Sequence, residues 1–291
     1  TKEGLMYLDK AIAWAKKYQL YVILDLHAAP GSQNHDWHSD SLGAAELWKN
    51  KTYQKRTFAL WEFLADRYKD EPTVAGYDLL NEAVIDDADV LNRFYATLIK
   101  HIRAADKNHI LFVEGNKWAT DIKCLKRFSD TNLVLSIHFY HPIDFTFNFV
   151  PLLSYPLRYQ KAFWDKTMLK RMVASYAKVA KEYQAPVFVG EFGVNYRDNR
   201  DSEIDYLLDV VKCFNDHDFH WTYWTYKAVK HTLFPDGVIS LYPNNPWINR
   251  HGPKMGWETY TALWPKQRKQ IIDSWKSDSF TSNAKVIKAL L

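Results

Sequence analysis

An α/β fold with a parallel sheet buried on both faces is predicted by two features of this sequence. Near-continuous apolar strands alternate with amphipathic helices along most of the 291 residues, which is typical of parallel sheets covered by helices. The predicted strands also carry polar side chains at or near their carboxyl ends, where α/β proteins place their chemistry. A composition of 47% hydrophobic residues with only 10 Gly and 11 Pro supports one large core and argues against disorder.

The predicted elements follow one another in regular order. Strands are expected at residues 21–27, 76–82, 110–114, 133–140, 186–191 and 219–226. Apolar residues at helical spacing predict helices at residues 5–12, 58–68, 90–102, 168–183 and 204–214, a short helical piece at 122–128, and further helices within 257–291. A long aromatic loop is expected at residues 141–164.

Polar strand ends repeated along the chain favour a (β/α)8 TIM barrel over an open doubly wound sheet. An open sheet usually gathers its ligands at one switch point, with a glycine-rich phosphate turn after an early strand, and the sequence has neither feature. A closed barrel needs eight strands, whereas this sequence supplies about six βα units and begins on a helix at Thr1 rather than at a Met. We therefore expect residues 1–291 to form a single barrel domain that is N-terminally incomplete by two βα units.

Charge and hydropathy argue against several classes of partner. The net charge of +4 is spread over 38 Lys+Arg and 34 Asp+Glu without a block of like sign, so no nucleic-acid partner is predicted. No apolar run approaches the roughly 20 residues of a membrane span, so no membrane partner is predicted. Cys124 and Cys213 have no metal-ligand spacing and are expected to be free and buried. We expect a monomer that needs no cofactor.

Two glutamates are predicted to end different strands of the sheet. Asn81 and Glu82 end the strand at 76–82, and Glu191 ends the strand at 186–191. Carboxyl ends of parallel strands face one mouth, and hydrolysis of a glycosidic bond needs two carboxyl groups, one as proton donor and one as nucleophile or base. From the residues alone, pairing of each glutamate with Arg or Lys remains an alternative.

Aromatic residues are more abundant than a core of this size needs, at 16% of the chain with 12 Trp and 18 Tyr. Flat amphipathic rings are the side chains on which sugar faces stack, although most of these rings are expected in the core. The candidates for outer sugar subsites are Trp37, Trp48, Trp118 and Trp247. The polar and aromatic loop at 33–38 and the segment at 145–149 are expected near the cleft.

A metal site is a weaker alternative. Asp25 with His27, and His138 with His141, carry groups that metal hydrolases use. No third and fourth ligand of the usual spacing appears, so no metal is predicted.

Five motifs occur in order on successive predicted strands. They are Asp25-Leu26-His27-Ala28-Ala29-Pro30-Gly31-Ser32-Gln33-Asn34, Leu79-Leu80-Asn81-Glu82, Ile137-His138-Phe139-Tyr140, Val189-Gly190-Glu191-Phe192-Gly193 and Trp221-Thr222-Tyr223-Trp224. In this order they resemble the family 5 glycoside hydrolases, the large cellulase and mannanase family of clan A, over residues 5 to 264. Members of that family are retaining (β/α) barrels. The resemblance therefore implies a β-linked oligo- or polysaccharide substrate and a secreted or cell-surface location.

The resemblance implies a role for each matched residue. Glu82 would be the acid/base and Glu191 the nucleophile. The substrate-binding residues would be His27, Asn81, His138, Tyr140 and Trp224. Among them, Asn81 would bond the sugar 2-hydroxyl, Tyr140 would donate to Glu191, and Trp224 would form a stacking floor. An acid and an ionised nucleophile need separated pKa values, so nearby negative charge is expected to raise the pKa of Glu82.

Taken without the resemblance, the same side chains have plainer interpretations. His27 could be a core histidine, and Tyr140 and Trp224 could be simple barrel packing. The sequence also departs from the family, because no residue before Tyr21 matches the early arginine that hydrogen-bonds the nucleophile. This departure agrees with the missing first two strands.

The expected function is a retaining β-glycosidase that hydrolyses a β-linked glucan by double displacement, specifically an endo-β-1,4-glucanase. Alternatives within the family are a β-1,3-glucanase, a mannanase and a β-glucosidase. A different class of alternative is a degenerate carbohydrate-binding barrel without turnover.

Overall fold

A computed structural model describes residues 2–197, 201–230, 232–241 and 262–291. The chain divides into two compact units, Thr1–His138 with Tyr176–Phe188, and Phe139–Ser175 with Val189–Leu291. The candidate subsite residue Trp247 and residues 257–261 of the predicted C-terminal helical segment lie outside the described residues. No helix among the described residues is long and apolar enough to cross a bilayer.

The first unit is built from parallel strands that alternate with helices. Its strands are β1 (Val22–Asp25), β2 (Val74–Asp78), β3 (Ile110–Glu114) and β4 (Leu133–His138). They pair in parallel and in chain order, β1 with β2, β2 with β3 and β3 with β4. Its helices are α1 (Lys2–Lys17), α2 (Lys51–Tyr68), α3 (Ala88–Ala105) and the short α4 (Asn116–Ala119).

Helices α2 and α3 begin at side-chain caps and bury one apolar face each. The side chain of Asn50 accepts the backbone N–H of Thr52, and that of Asp87 accepts the N–H of Asp89, which satisfies donors that a helix start leaves unpaired. From α2, Trp61 is 1% exposed and its Nε1 donates to the carbonyl oxygen of Leu79 at 3.0 Å. This contact fixes the chain just beyond β2, where the candidate acid/base follows.

The second unit contains the remaining elements and shares two of them with the first. Helix α6 (Lys166–Tyr183) and strand β7 (Val187–Phe192) pass from one unit to the other. The other elements are α5 (Ile143–Thr146), the antiparallel hairpin of β5 (Leu157–Tyr159) and β6 (Ala162–Trp164), α7 (Ser202–Asn215), β8 (His220–Tyr223), β9 (Lys227–Val229), β10 (Ile239–Leu241), α8 (Trp264–Ser274), β11 (Thr281–Ser282) and α9 (Ala284–Leu290).

Within the described residues, the principal sheet has six strands in the order β1-β2-β3-β4-β7-β8. Beside β4, the N–H of Leu135 donates to the carbonyl of Pro186 at 2.9 Å, and beyond β7 the N–H of Trp224 donates to Phe192 at 2.8 Å. This succession of strands and helices is the βα repeat of a (β/α) barrel. Six strands agree with the prediction of about six βα units.

Four predicted strands end earlier than expected, which changes the setting of the residues that follow them. Strand β1 ends at Asp25 rather than His27, β2 at Asp78 rather than Glu82, β4 at His138 rather than Tyr140, and β8 at Tyr223 rather than Tyr226. The apolar residues beyond β2 are as buried as strand residues, with Leu79 and Leu80 both 0% exposed. Burial alone does not require ladder pairing, so the apolar pattern overestimated the strand.

Several other predictions differ in detail from the structure. The predicted loop at 141–164 contains α5 and the β5–β6 hairpin, and the predicted helical piece at 122–128 is a 3₁₀ turn at Ile122–Cys124. Both cysteines are free, as predicted. Cys213 is buried but Cys124 is only half-buried, so the prediction of burial is wrong for Cys124.

Candidate active site

The turn that follows β2 carries the first candidate pair, Asn81 and Glu82. The N–H of Asn81 donates to the carbonyl of Leu26 at 3.1 Å, which ties this turn to the end of β1. Glu82 has a φ of +48°, a left-handed conformation that is uncommon for a residue with a side chain. Such backbone strain persists only where surrounding contacts hold it.

Both carboxylate oxygens of Glu82 lie against imidazoles. His138 Nδ1 is 2.7 Å from Oε1, and His38 Nε2 is 2.9 Å from Oε2. Burial raises the pKa of Glu82, but the hydrogen bonds from His138 and His38 outweigh burial and hold the pKa well below its ordinary value. The expectation of a raised pKa is therefore wrong for this arrangement, because two imidazole donors stabilise the charged form.

Glu114, at the end of β3, is a third carboxylate that the sequence reasoning did not select. Its Oε2 accepts the backbone N–H of Glu82 at 2.6 Å, and its Oε1 lies 3.2 Å from Nε2 of His138. Glu114 is 1% exposed. Burial raises its pKa to about 7, although His138 acts in the opposite direction. The signal that could have identified it was present, because Glu114 ends an apolar strand as Glu191 was predicted to do.

Asp78, the last residue of β2, adds a further buried carboxyl group to this region. The Ser136 hydroxyl donates to Oδ2 of Asp78 at 3.0 Å, while Oδ1 has no hydrogen-bond partner among the described residues. Burial, followed by the nearby charge of Glu114, raises its pKa well above the ordinary value. Burial thus raises the pKa of Asp78 and of Glu114, whereas the imidazole contacts lower the pKa of Glu82.

The loop after β1 is clamped to the Asn81–Glu82 turn by two fully buried amide side chains. Gln33 accepts the N–H of Ala29 at 3.0 Å and donates to the carbonyls of His27 and Asn81, each at 2.8 Å. Asn34 donates from Nδ2 to the carbonyl of Glu82 at 2.9 Å. Both amides are 0% exposed. This clamp places His38, a second residue that sequence reasoning missed, on Glu82; the polar loop at 33–38 was its only sequence signal.

His27 and Asn81, which the family resemblance matched as substrate-binding residues, have contrasting environments. His27 Nδ1 lies 3.0 Å from Asp25 Oδ2, and its side chain is 38% exposed. Asn81 is 1% exposed, and its Nδ2 has no hydrogen-bond partner among the described residues. Buried polar atoms in native proteins are nearly always paired, so this amide nitrogen is an exception.

Among the tryptophans named as subsite candidates, two are exposed and one is partly buried. Trp118 is 44% exposed and lies in a left-handed turn, with its Nε1 donating to Asp36 Oδ2 at 2.7 Å. Trp37 is 55% exposed. Trp48 instead packs its ring edge-on against Phe94 and donates from Nε1 to the carbonyl of Gln33. Its contacts are those of a packing residue.

The second unit holds the other candidate carboxylate. Glu191 is the penultimate residue of β7, and its Oε2 accepts the Tyr140 hydroxyl at 2.8 Å. The carbonyl of Glu191 accepts the N–H of Phe139 at 2.8 Å, so the segment after β4 is anchored to β7 on the residue before Tyr140. A phenol that donates to a carboxylate favours its charged form and fixes its orientation.

Trp224 follows β8 directly and is 41% exposed. Its position depends on a close approach to Gly193, because a Cβ at Gly193 would lie 2.3 Å from the carbonyl oxygen of Trp224. Phe145, in the predicted cleft wall, is instead 0% exposed and packs against Tyr155 and Tyr206. Phe149 of the same segment is 44% exposed.

The residues considered for metal binding already have partners or pack in apolar surroundings. Asp25 and His27 pair with each other, and both ring nitrogens of His138 lie near glutamate oxygens. The ring of His141 stacks on Trp164, and burial lowers its pKa. Carboxylates and imidazoles are ligands that zinc accepts; the predicted lack of a metal remains a prediction.

A sequence model of the cellulase family, glycosyl hydrolase family 5, matches residues 1–230. This match covers well over half of the chain and includes Asn81, Glu82, Tyr140 and Glu191. The chain belongs to glycosyl hydrolase family 5. The resemblance found in the sequence is thereby confirmed, and with it the assignment of this family 5 protein to the O-glycosyl hydrolases.

Curated relatives of this family 5 protein differ in their named activities. A β-xylosidase of Phanerodontia chrysosporium is 30% identical over 296 residues, which cover 95% of this chain and 56% of the relative. Endoglucanase C of Acetivibrio thermocellus is 26% identical over 264 residues, with 80% of this chain and 76% of the relative covered. The chain thus spans little more than half the length of the β-xylosidase.

A solved structure shows the same fold. Thermotoga maritima Cel5A in complex with mannotriose superimposes with a TM-score of 0.69 at 21% identity, covering 100% of this chain and 79% of that chain. The α/β prediction of a (β/α)8 barrel is therefore confirmed.

Proposed function

We propose that this protein is a retaining endo-β-1,4-glucanase that cleaves its glucan by double displacement. The observation that carries the proposal is the Asn81–Glu82 turn. It combines a buried amide with an unpaired Nδ2 and a carboxylate whose two oxygens contact imidazoles, in a chain of family 5. Glu191 on β7, which accepts a hydrogen bond from the Tyr140 hydroxyl, supplies the second carboxylate that the reaction needs.

In the first step, the Glu191 carboxylate attacks the anomeric carbon while Glu82 gives a proton to the departing glycosidic oxygen. The products are a covalent glycosyl ester on Glu191 and a released alcohol. In the second step, the Glu82 carboxylate takes a proton from water, which displaces Glu191 from the sugar with overall retention. Tyr140 keeps Glu191 oriented in both steps through its hydroxyl.

The remaining side chains bind the sugar. Nδ2 of Asn81 donates to the 2-hydroxyl, which removes the cost of leaving this buried donor unpaired. His27 and His138 contribute to the same subsite, with His138 acting from a buried position at 3% exposure. Trp224 forms the stacking floor, and Trp37 and Trp118 serve outer subsites through their exposed rings.

The choice of an endoglucanase follows Endoglucanase C, of which the chain covers 76%. Other substrates are named in the relatives: a β-xylosidase, a probable glucan 1,3-β-glucosidase of Emericella nidulans that is 37% identical over 123 residues, and Cel5A with mannotriose. A polymeric substrate outside the cell accords with a secreted or cell-surface monomer, which we include in the proposal.

The test is release of reducing sugar from carboxymethyl-cellulose, laminarin, mannan and an aryl β-xyloside, with viscometry of the cellulose solution. We expect the highest rate and a rapid fall in viscosity on carboxymethyl-cellulose. E82Q should lose about 10²–10⁴-fold in rate, with partial recovery on an aryl cellobioside whose leaving group needs no proton. E191Q should lose activity on every substrate, while E46Q, which alters an exposed carboxylate, should match wild type.

Other outcomes would overturn parts of this proposal. Equal rates for wild type, E82Q and E191Q would refute the two-carboxylate mechanism. Binding of cellohexaose without cleavage would favour the carbohydrate-binding alternative. Loss of activity with a chelator would favour a metal hydrolase, whereas the double displacement predicts no effect.

A further inference from the structure

The imidazole of His38 contacts two groups with opposite hydrogen-bonding roles, an acceptor and a donor. Its Nε2 is 2.9 Å from Oε2 of Glu82 and also 2.9 Å from Nδ2 of Asn34. A carboxylate oxygen only accepts a hydrogen bond, whereas an amide nitrogen only donates one. Protonated Nε2 therefore donates to Glu82, and unprotonated Nε2 accepts from Asn34.

Neighbouring hydrogen bonds hold Asn34 and the turn of His38 in place, so His38 can contact either Glu82 or Asn34 without a backbone movement. Asn34 is 0% exposed, and its side chain also donates to the carbonyl of Glu82 and accepts the N–H of Asp36. The Ser39 hydroxyl contacts the carbonyls of Asn34 and Asp36 at 3.1 and 2.9 Å, which fixes the turn that carries His38. The side chains of His38 and Glu82 are 17% and 13% exposed. The pair is thus pre-organised and only partly open to water.

Glu82 needs a nearby proton donor before it can act as an acid. The contacts from His138 and His38 favour the ionised carboxylate, but the first step of the proposed function requires a protonated one. A proton must therefore reach Glu82 from a group that holds it nearby. Histidine is the side chain that exchanges a proton between about pH 5 and 8.

We propose that His38 is a positioning residue that stores the proton Glu82 delivers to the leaving group. The proton moves from Nε2 of the imidazolium to Oε2 of Glu82, which leaves a neutral imidazole and a carboxylic acid. Asn34 then donates to the free Nε2, and Glu82 passes the proton to the glycosidic oxygen as that bond breaks. When Glu82 takes a proton from water in the second step, the proton returns to Nε2 and the pair is reset.

Other charged and titratable groups also face this pair. His138 contacts Oε1 of Glu82 from β4, Glu114 accepts the Glu82 N–H from β3, and the ring of His27 lies 6.1 Å from that of His38. His27 is itself paired with Asp25. Of these groups, His38 alone contacts Oε2 in the described contacts, and it also has the amide that stabilises its deprotonated nitrogen.

The test compares H38Q with H35Q, since His35 is an exposed histidine of the same loop. A glutamine at position 38 can still donate to Glu82 but carries no exchangeable charge. The alkaline limb of kcat/KM against pH should move to lower pH by at least about one unit in H38Q. The Glu82 carboxyl carbon, followed by NMR, should titrate at a higher pH than in wild type, because a cation that favoured ionisation is gone. H35Q should change neither.

The two readouts separate this inference from the proposed function on which it rests. The NMR titration needs no turnover, so an inactive protein in which H38Q still raises the Glu82 midpoint would refute the glycosidase and retain the His38–Glu82 coupling. If H38Q and H35Q both show wild-type pH profiles and wild-type Glu82 midpoints, the inference is overturned. Should H38Q fail to fold, the wild-type protein with ¹⁵N-labelled histidine decides, since Nε2 of His38 must lose its proton across the alkaline limb.

Discussion

The left-handed backbone of Glu82 is held by the side chain of Glu114, whose Oε2 lies 2.6 Å from the Glu82 nitrogen. The same carboxyl group reaches His138, which in turn contacts Glu82 through its other nitrogen. Glu114 therefore supports Glu82 directly at its backbone and, through His138, at its side chain. Neither contact touches substrate, so its effects should appear in stability and pH dependence.

E114Q should change how stability depends on pH. Burial raises the pKa of Glu114 from 4.5 to about 7, so the folded state binds this proton more tightly than the unfolded state. As pH rises from about 4.5 to about 7, the wild type should lose up to roughly 3 kcal/mol of unfolding free energy relative to E114Q. Urea unfolding at several pH values measures this, with E46Q as the exposed control. A difference that stays constant with pH would contradict the assignment.

Y140F should weaken the support of Glu191, the proposed nucleophile, without altering the fold. The variant removes the hydroxyl that donates to Glu191 at 2.8 Å. A hydrogen bond to a charged group contributes about 1.5–3 kcal/mol, which corresponds to a fall of about 10- to 150-fold in kcat/KM. Y159F, whose hydroxyl only accepts from exposed Gln160, is the matched control. Equal kinetics for the two variants would mean that Tyr140 only packs.

G193A should disturb Trp224. The new methyl carbon would lie 2.3 Å from the carbonyl oxygen of Trp224 and 3.0 Å from Pro235, so one of them must shift. Overpacking of this kind costs about 1–3 kcal/mol. We expect a lower melting temperature and a higher KM for oligosaccharides.

G43A provides the contrast for that variant. Its Cβ meets nothing within 4 Å, although its φ of +95° adds backbone strain. The variant should therefore lose stability without a change in KM. A KM in G193A that matches that of G43A would exclude Trp224 as the sugar floor.

Q33L should loosen the loop that carries His38. Gln33 satisfies the N–H of Ala29 and the carbonyls of His27 and Asn81, all in a fully buried position. Loss of these hydrogen bonds leaves buried polar groups unpaired, which costs about 1–3 kcal/mol of unfolding free energy for each group. Thermal melts should show a marked fall in stability, whereas Q270L on the exposed side of α8 should not. Unchanged hydrogen-exchange protection at Ala29 in Q33L would contradict the clamp.

Much of the fold and part of the site could be predicted from local patterns. Apolar runs and helical spacing located the strands and helices, because burial on one or both faces leaves a periodic trace in the sequence. Strand ends were less reliable. Leu79 and Leu80 extend the apolar run of β2 and are fully buried, so the sequence predicted them as strand residues, yet β2 ends at Asp78.

The sequence by itself determined the family and the repeated βα order, and it selected Asn81, Glu82 and Glu191 as candidate site residues, since these depend on residue types in a fixed order. Only the tertiary structure decided which groups surround Glu82 and therefore the direction in which its pKa shifts. Glu114 meets it across 32 residues of chain, and His38 and His138 approach it from two other segments. A pKa depends on which charges and donors surround a group in space, and no local pattern along the chain records that.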